Sequence, residues 1–466
     1  MATLAASACL AGCSGFEDHR AALNALHAQG RYESAASVLS LPETEAMYGD
    51  HSRLLLWLDR GAVALARHDA QGCLENLERA EAYIEAAHGS DPAGDAARWL
   101  MNDTAAAYLG EPYEDLYINV LKLLAQLESG HVQGGATVEA RRLASKADTL
   151  RDRHVRYRDA ALKKGGDDYT SALESISSAG LVSSAEAGRF IESTLGTYLT
   201  AVTFMHSGET EFQRVAGRRL RDSIRLQGSL IGPVRAEAFA GLGERPAAGS
   251  GRGDVLVVAL SGRGPTKFPR TIGPIPVFDW PVYFQLPVLA GGCAEAQRAR
   301  LILAEEPRMG ITGDPSALPG GTVGQFTLCT AIEMELVEDM ASVATANHER
   351  ELPLIYARTL LRSSAKAGLS FAVTQSVRRR DRDGWATLAS VLGGLAAVAL
   401  TEKADLRCWA FLPGRAYVAL SDVKPGRYLV RIEYLAASGG VLHTTSWQTA
   451  DVQAGGLTTI VEHFWR

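Results

Sequence analysis

The stretch 241–253, Gly-Leu-Gly-Glu-Arg-Pro-Ala-Ala-Gly-Ser-Gly-Arg-Gly, divides this chain into two halves that cannot share one kind of secondary structure. Its glycines and its proline cannot continue a helix, so it marks a domain boundary. Before it, from Phe16 to Ala240, Ala, Leu, Glu and Arg dominate and apolar residues recur at spacings of three and four, the period of a helix. Beyond it come short runs rich in β-branched residues, beginning with Asp254 to Leu260. At 466 residues the chain is too long for one ordinary core. The expectation is an α+β multidomain protein: helices over 13–245, a linker at 246–253 and a β-rich domain over 254–466.

Within the first half, short helices come in pairs. Residues 31–39, 54–61 and 74–80 repeat a small, apolar pattern, a further pair runs through 117–128, turns at Gly130 and resumes at 138–147, and 197–206 with 212–226 make one more. Each such pair buries its apolar face only by stacking on the next, which predicts an α-solenoid of tetratricopeptide-like helix pairs. Small-residue stripes at this spacing are packing surfaces and carry no chemistry.

In the second half, strands are expected at 254–260, 281–287, 299–304, 324–329, 416–420, 426–435 and 458–464, with turn residues at Lys424-Pro425-Gly426 and Ser438-Gly439-Gly440. The spacing of the last three predicts an antiparallel β-sandwich-like domain. Inserted helices are expected near 331–401. One, 349–377, sets Arg358, Arg362 and Lys366 at intervals of four and so on one face, a solvated stripe or a contact surface for an acidic partner or lipid phosphate. The other, 385–401, has no charged residue in 17 positions but carries Gly393-Gly394, and reads as a buried or surface-docked helix more readily than a span of about 20 apolar residues, with a membrane-inserting hairpin as the alternative.

The amino terminus is a short apolar segment, Leu4 to Cys9, running into Leu10-Ala11-Gly12-Cys13. Small residues before a cysteine form a lipobox, with cleavage before Cys13 and acylation of its thiol. A chain so modified is anchored at a membrane without spanning it. Residues 1–12 are therefore expected to be a signal peptide, incomplete because no Lys or Arg precedes Arg20, which places the true start upstream of Met1. Ser14 favours the outer membrane, with the rest of the chain facing the periplasm.

A net charge of −6 and the lack of a long basic block argue against nucleic acid. Cys73, Cys293, Cys329 and Cys408 form no Cys-x-x-Cys pair, so zinc and redox sites are unsupported, while a Cys293–Cys329 disulfide and buried free thiols both fit. No nucleophile elbow, His-Glu-x-x-His or phosphate loop occurs, no cofactor is implied, and His348 has no partner at ligand spacing. Glu333, Glu335, Glu338 and Asp339 read as a solvated acidic helix.

The segments Gly110-Glu111-Pro112-Tyr113-Glu114, Val138 to Arg142, Leu352 to Lys366, and Ala404 to Pro413 followed by Leu420 to Tyr428 give the chain a resemblance to a family of bacterial envelope lipoproteins that join a lipobox, a tetratricopeptide-like half and a β-rich half. The resemblance implies an envelope location and a helical-repeat scaffold but no activity; gene neighbourhood in that family points to LpoB-like lipoproteins as partners. Within its hallmark, Asp405 and Arg407 would share one face of a strand. Either Asp405 forms a buried ion pair, with Arg358 or Arg362 for instance, or Arg407 and Trp409 form an exposed partner hot spot. The functional expectation is a non-catalytic, membrane-anchored periplasmic scaffold binding an envelope protein. The competing one is a glycan- or peptidoglycan-binding module or envelope enzyme in the β-rich half.

Overall fold

The computed structural model describes residues 16–89, 107–178, 190–231, 241–247, 251–277, 280–305, 329–356 and 404–466. The amino-terminal half is helical: α1 (Phe16–Ala28), α2 (Tyr32–Leu39), α3 (Pro42–Tyr48), α4 (Arg53–Ala66), α5 (Ala70–Gly89), α6 (Pro112–Glu128), a π turn (Val132–Ala136), α7 (Thr137–Ser178), α8 (Thr194–Ser207) and α9 (Thr210–Ile231). The boundaries have local causes. Proline opens α3 and α6 at positions where a helix needs no N–H. Glu111 and Glu114 form a reciprocal capping box on α6, Ser193 caps α8, and Gly208 ends α8 in the left-handed region at φ 76°. From α4 to α9 each helix packs on the next.

The carboxy-terminal half holds β1 (Gly253–Ser261), β2 (Thr266–Val277), β3 (Trp280–Ala290), β4 (Arg298–Glu305), β5 (Cys329–Glu333), β6 (Glu335–Asp339), β7 (Arg415–Val423), β8 (Gly426–Leu435), β9 (Val441–Thr444), β10 (Gln448–Val452) and β11 (Leu457–Phe464), with a helix at 340–356. One sheet runs β11-β1-β7-β6 and a second β10-β8-β4-β5 with β9 beside β8, while β2 and β3 form a two-stranded hairpin. The sheets are not wholly antiparallel as expected, because β1 pairs in parallel with β11. These two strands lie at opposite ends of the domain and no tight turn constrains their directions.

Every residue of β1 is buried, and its two faces meet different layers. Val255, Val257 and Ala259 pack with Leu301, Val430, Ile432 and Ile460 between the sheets. Leu256, Val258 and Leu260, with Val418, Val461 and Trp465, join an apolar cluster that continues into Leu54, Leu121, Leu124 and Leu195 of the helices. One core thus crosses the boundary at 241–253, which separates types of structure without separating cores.

Residues 333–339, expected as a solvated acidic helix, are strands. Glu338 and Asp339 are buried, since β6 lies against β7 on one side and the start of α8 on the other. Cys293 is an exposed free thiol, and Cys73 and Cys408 are buried free thiols. Of the helix expected at 349–377, residues 349–356 are helical. The remainder, with Arg358, Arg362 and Lys366, lies outside the described residues, as do the 385–401 segment, the 324–328 part of one expected strand, and Cys13 with the signal segment. Among the described residues no helix is long and apolar enough to cross a membrane.

Candidate functional site: a junction of buried charges and a polar cleft

Two features sit where the halves meet. The first is a sealed junction. Glu111, at the start of α6, pairs with Lys267 of β2, and the His348 imidazole lies 3.9 Å away. Burial opposes the Glu111 carboxylate, but Lys267 and His348 hold it well below the usual range. One turn on, Glu114 accepts hydrogen bonds from the Trp409 backbone N–H at 2.6 Å, the Tyr108 hydroxyl at 2.5 Å and the Glu111 backbone N–H at 3.0 Å. Burial, and then repulsion from Glu111, push its carboxyl up to about 7. Two neighbouring carboxyls are driven apart by their surroundings, the pattern that separates acid from base in catalytic pairs. Here both are enclosed, and their partners are parts of the protein itself.

A similar tie lies further along the interface. Glu338 of β6 accepts the Ser193 hydroxyl at 2.6 Å and the Leu195 N–H at 2.9 Å, at the start of α8. Burial pushes this carboxyl too up to about 7. Asn347 bonds both backbone groups of Ile191, and Gln227 donates to the Val337 carbonyl. Stacking closes the far end, where His27 lies flat on Phe411, ring centroids 4.8 Å apart, and against Trp465 at 3.9 Å. Burial holds the His27 imidazole well below its ordinary value.

The second feature is open: a cleft of about 720 Å³ between the π turn that joins α6 to α7 and the turn before β11. Its lining consists of Gln126, Gln133, Gln453, His131, His206, Val132 and Leu457 with the backbone of Gly130, Gly134, Gly135, Gly455 and Gly456. Gly130 and Gly455 have positive φ, 73° and 71°, which a side chain would strain. His206, in the last turn of α8, lies beside Asp254 at the start of β1, with Nε2 3.1 Å from Oδ2. Arg245 holds the other oxygen of Asp254 at 3.0 Å. The volume falls within the range of small-ligand and peptide sites, about 300–1,000 Å³.

The hallmark residues lie in the sealed junction. Trp409 is 1 % exposed and packs in the shared core, so the exposed Arg407–Trp409 pair is not formed. Asp405 and Arg407 pair with each other at 2.7 Å in an irregular segment, not across a strand face, and Arg407 also bonds the His51 carbonyl at 2.8 Å. Glu111 and Glu114 had a sequence signal, the Glu-Pro-x-Glu spacing of a capping box. His206 and Asp254 had none, because only the fold brings the end of α8 to the start of β1. Among the described residues no cluster of His, Cys, Asp and Glu could hold a metal ion. The chain matches no protein-family model, no curated protein and no solved structure.

Proposed function

We propose that the protein is a non-catalytic interaction scaffold of the bacterial cell envelope, anchored through an acylated Cys13 and presenting one body to a partner protein. The observation that carries this reading is the division of labour at the interface. Two strongly perturbed carboxyls, Glu114 and Glu338, are spent on holding the halves together, whereas the open cleft offers amides, imidazoles and glycine backbone. No hydroxyl, thiol, carboxyl or amine lines the cleft beside its two imidazoles, His131 and His206, so the wall holds no side-chain nucleophile paired with a base, and its carboxamides and glycine backbone are binding groups. The stacking of each helix from α4 to α9 on the next supports the tetratricopeptide-like solenoid, and the apolar layer shared by the two sheets supports the β-sandwich-like domain. An LpoB-like lipoprotein is one partner to test.

The experiment is fractionation with crosslinking in a bacterial host, the chain being supplied with a functional leader. Wild type is expected in the membrane fraction, Cys13→Ser in the soluble periplasmic fraction, and crosslinking of intact membranes should give discrete adducts with envelope proteins. Wild type found wholly soluble, or a membrane-bound form that yields no adduct, contradicts the reading.

A further inference from the structure

The chemistry of the cleft is specific enough to name what fills it, on the premise that the protein binds rather than catalyses. None of its lining residues is Asp, Glu, Lys or Arg, so a charged ligand would lose hydration and meet no permanent counter-charge. Only Val132 and Leu457 are apolar, and no Phe, Tyr or Trp lies in the wall, so the apolar face of a pyranose lacks the broad platform it usually stacks on. What the wall does hold are three carboxamides, Gln126, Gln133 and Gln453, each carrying both a donor and an acceptor, as a peptide bond does. Gly130 and Gly134 beside them open onto free space and leave room for another backbone to approach closely. His206, its side chain 3 % exposed and its Nε2 3.1 Å from the fully buried Asp254 carboxylate, is held in place by packing, so one edge of the cleft is ordered in advance.

We infer that the cleft binds an extended, uncharged segment of a partner protein, reading its main chain through Gln126, Gln133, Gln453 and the glycine backbone. Recognition of this kind tolerates different side chains and depends on the ligand's N–H and C=O groups.

The test uses the full chain carrying Cys13→Ser and, as probe, a fluorescent, end-capped hexapeptide of alternating threonine and alanine, followed by anisotropy. The expected dissociation constant lies below about 1 mM. N-methylation at alternate residues, which deletes donors and keeps the side chains, should weaken binding about tenfold or more. Gln133→Trp and Gln453→Trp, both at exposed positions that can fill the cleft without touching the core, should weaken it about as much and leave thermal melting unchanged. Binding indifferent to N-methylation or to both tryptophan variants overturns the inference. So does failure of the folded protein to bind the peptide, or competition for the cleft by a chitin tetrasaccharide in its place. If the peptide fails while envelope adducts persist, the scaffold reading stands and the ligand class falls; if adducts fail too, both fall.

Discussion

Single side chains at the junction set how stability depends on pH. Glu114 and Glu338 titrate near 7 in the fold, raised from 4.5 by burial, so each stabilises the fold most when neutral. That contribution is complete below the unfolded value and is lost as pH rises through the folded one. His27 and His463 are pushed down by burial, the latter to about 3, and act in the opposite sense, costing stability as pH falls below 6.5. Above pH 6.5 only the carboxyls of these four matter. Urea unfolding should therefore show stability falling between pH 6.5 and 8.5 by roughly 1 kcal/mol for each carboxyl, and Glu114→Gln with Glu338→Gln should flatten the slope. Trp409→Ala should cost about 3–5 kcal/mol in the same measurement, since it empties a site in the shared core. Lys122 offers a contrast inside the helical half: wholly buried, it pairs with Glu81 at 2.7 Å and Glu139 at 3.0 Å. Lys122→Met removes the buried cation that both carboxylates share, leaving Glu81 to Lys146 and Glu139 to Arg142, and should cost about 1–3 kcal/mol; no loss at all would show that those two cations compensate fully.

At the scale of elements, the β2–β3 hairpin shows what pairing alone can say. Pro269 lies opposite Pro287 and Pro276 opposite Pro281, so these four positions carry no N–H for any ladder. Prolines so placed make a hairpin edge a poor template for strand addition. Replacing Pro269 and Pro287 by Thr should reopen the edges and produce concentration-dependent oligomers on size-exclusion chromatography; a variant that stays monomeric at high concentration would rule out this protection. Such elements mark how far the sequence could be read. Apolar spacing located α4 to α9 and strands β1, β3, β4, β7, β8 and β11, because their patterns match the period of the element. It missed β2, whose prolines mimic a loop, and the short β9 and β10, and it misread β6 with the end of β5, whose carboxylates look like a solvated helix. The cleft left no trace, because its walls are glycines and glutamines ordinary in any turn, brought together from α6, α8 and the turn before β11.

Across the whole molecule, the continuity of the core from Leu54 and Leu124 through Leu256 and Val258 to Trp465 argues for one cooperative unit. Thermal unfolding followed by helix and strand signals should give coincident transitions, and residues 254–466 alone should fail to fold stably. Two separate transitions would show that the halves are independent. That unity is what gives the cleft fixed walls, since one comes from each half. The central claim is that a partner protein occupies it, and site-specific photocrosslinking in the intact envelope tests this most directly. A photoreactive residue at Gln133 or Gln453 should capture one discrete envelope protein, while the same residue at exposed Glu43 on α3 captures none. Equal capture from all three positions, or none from the cleft, would contradict the account.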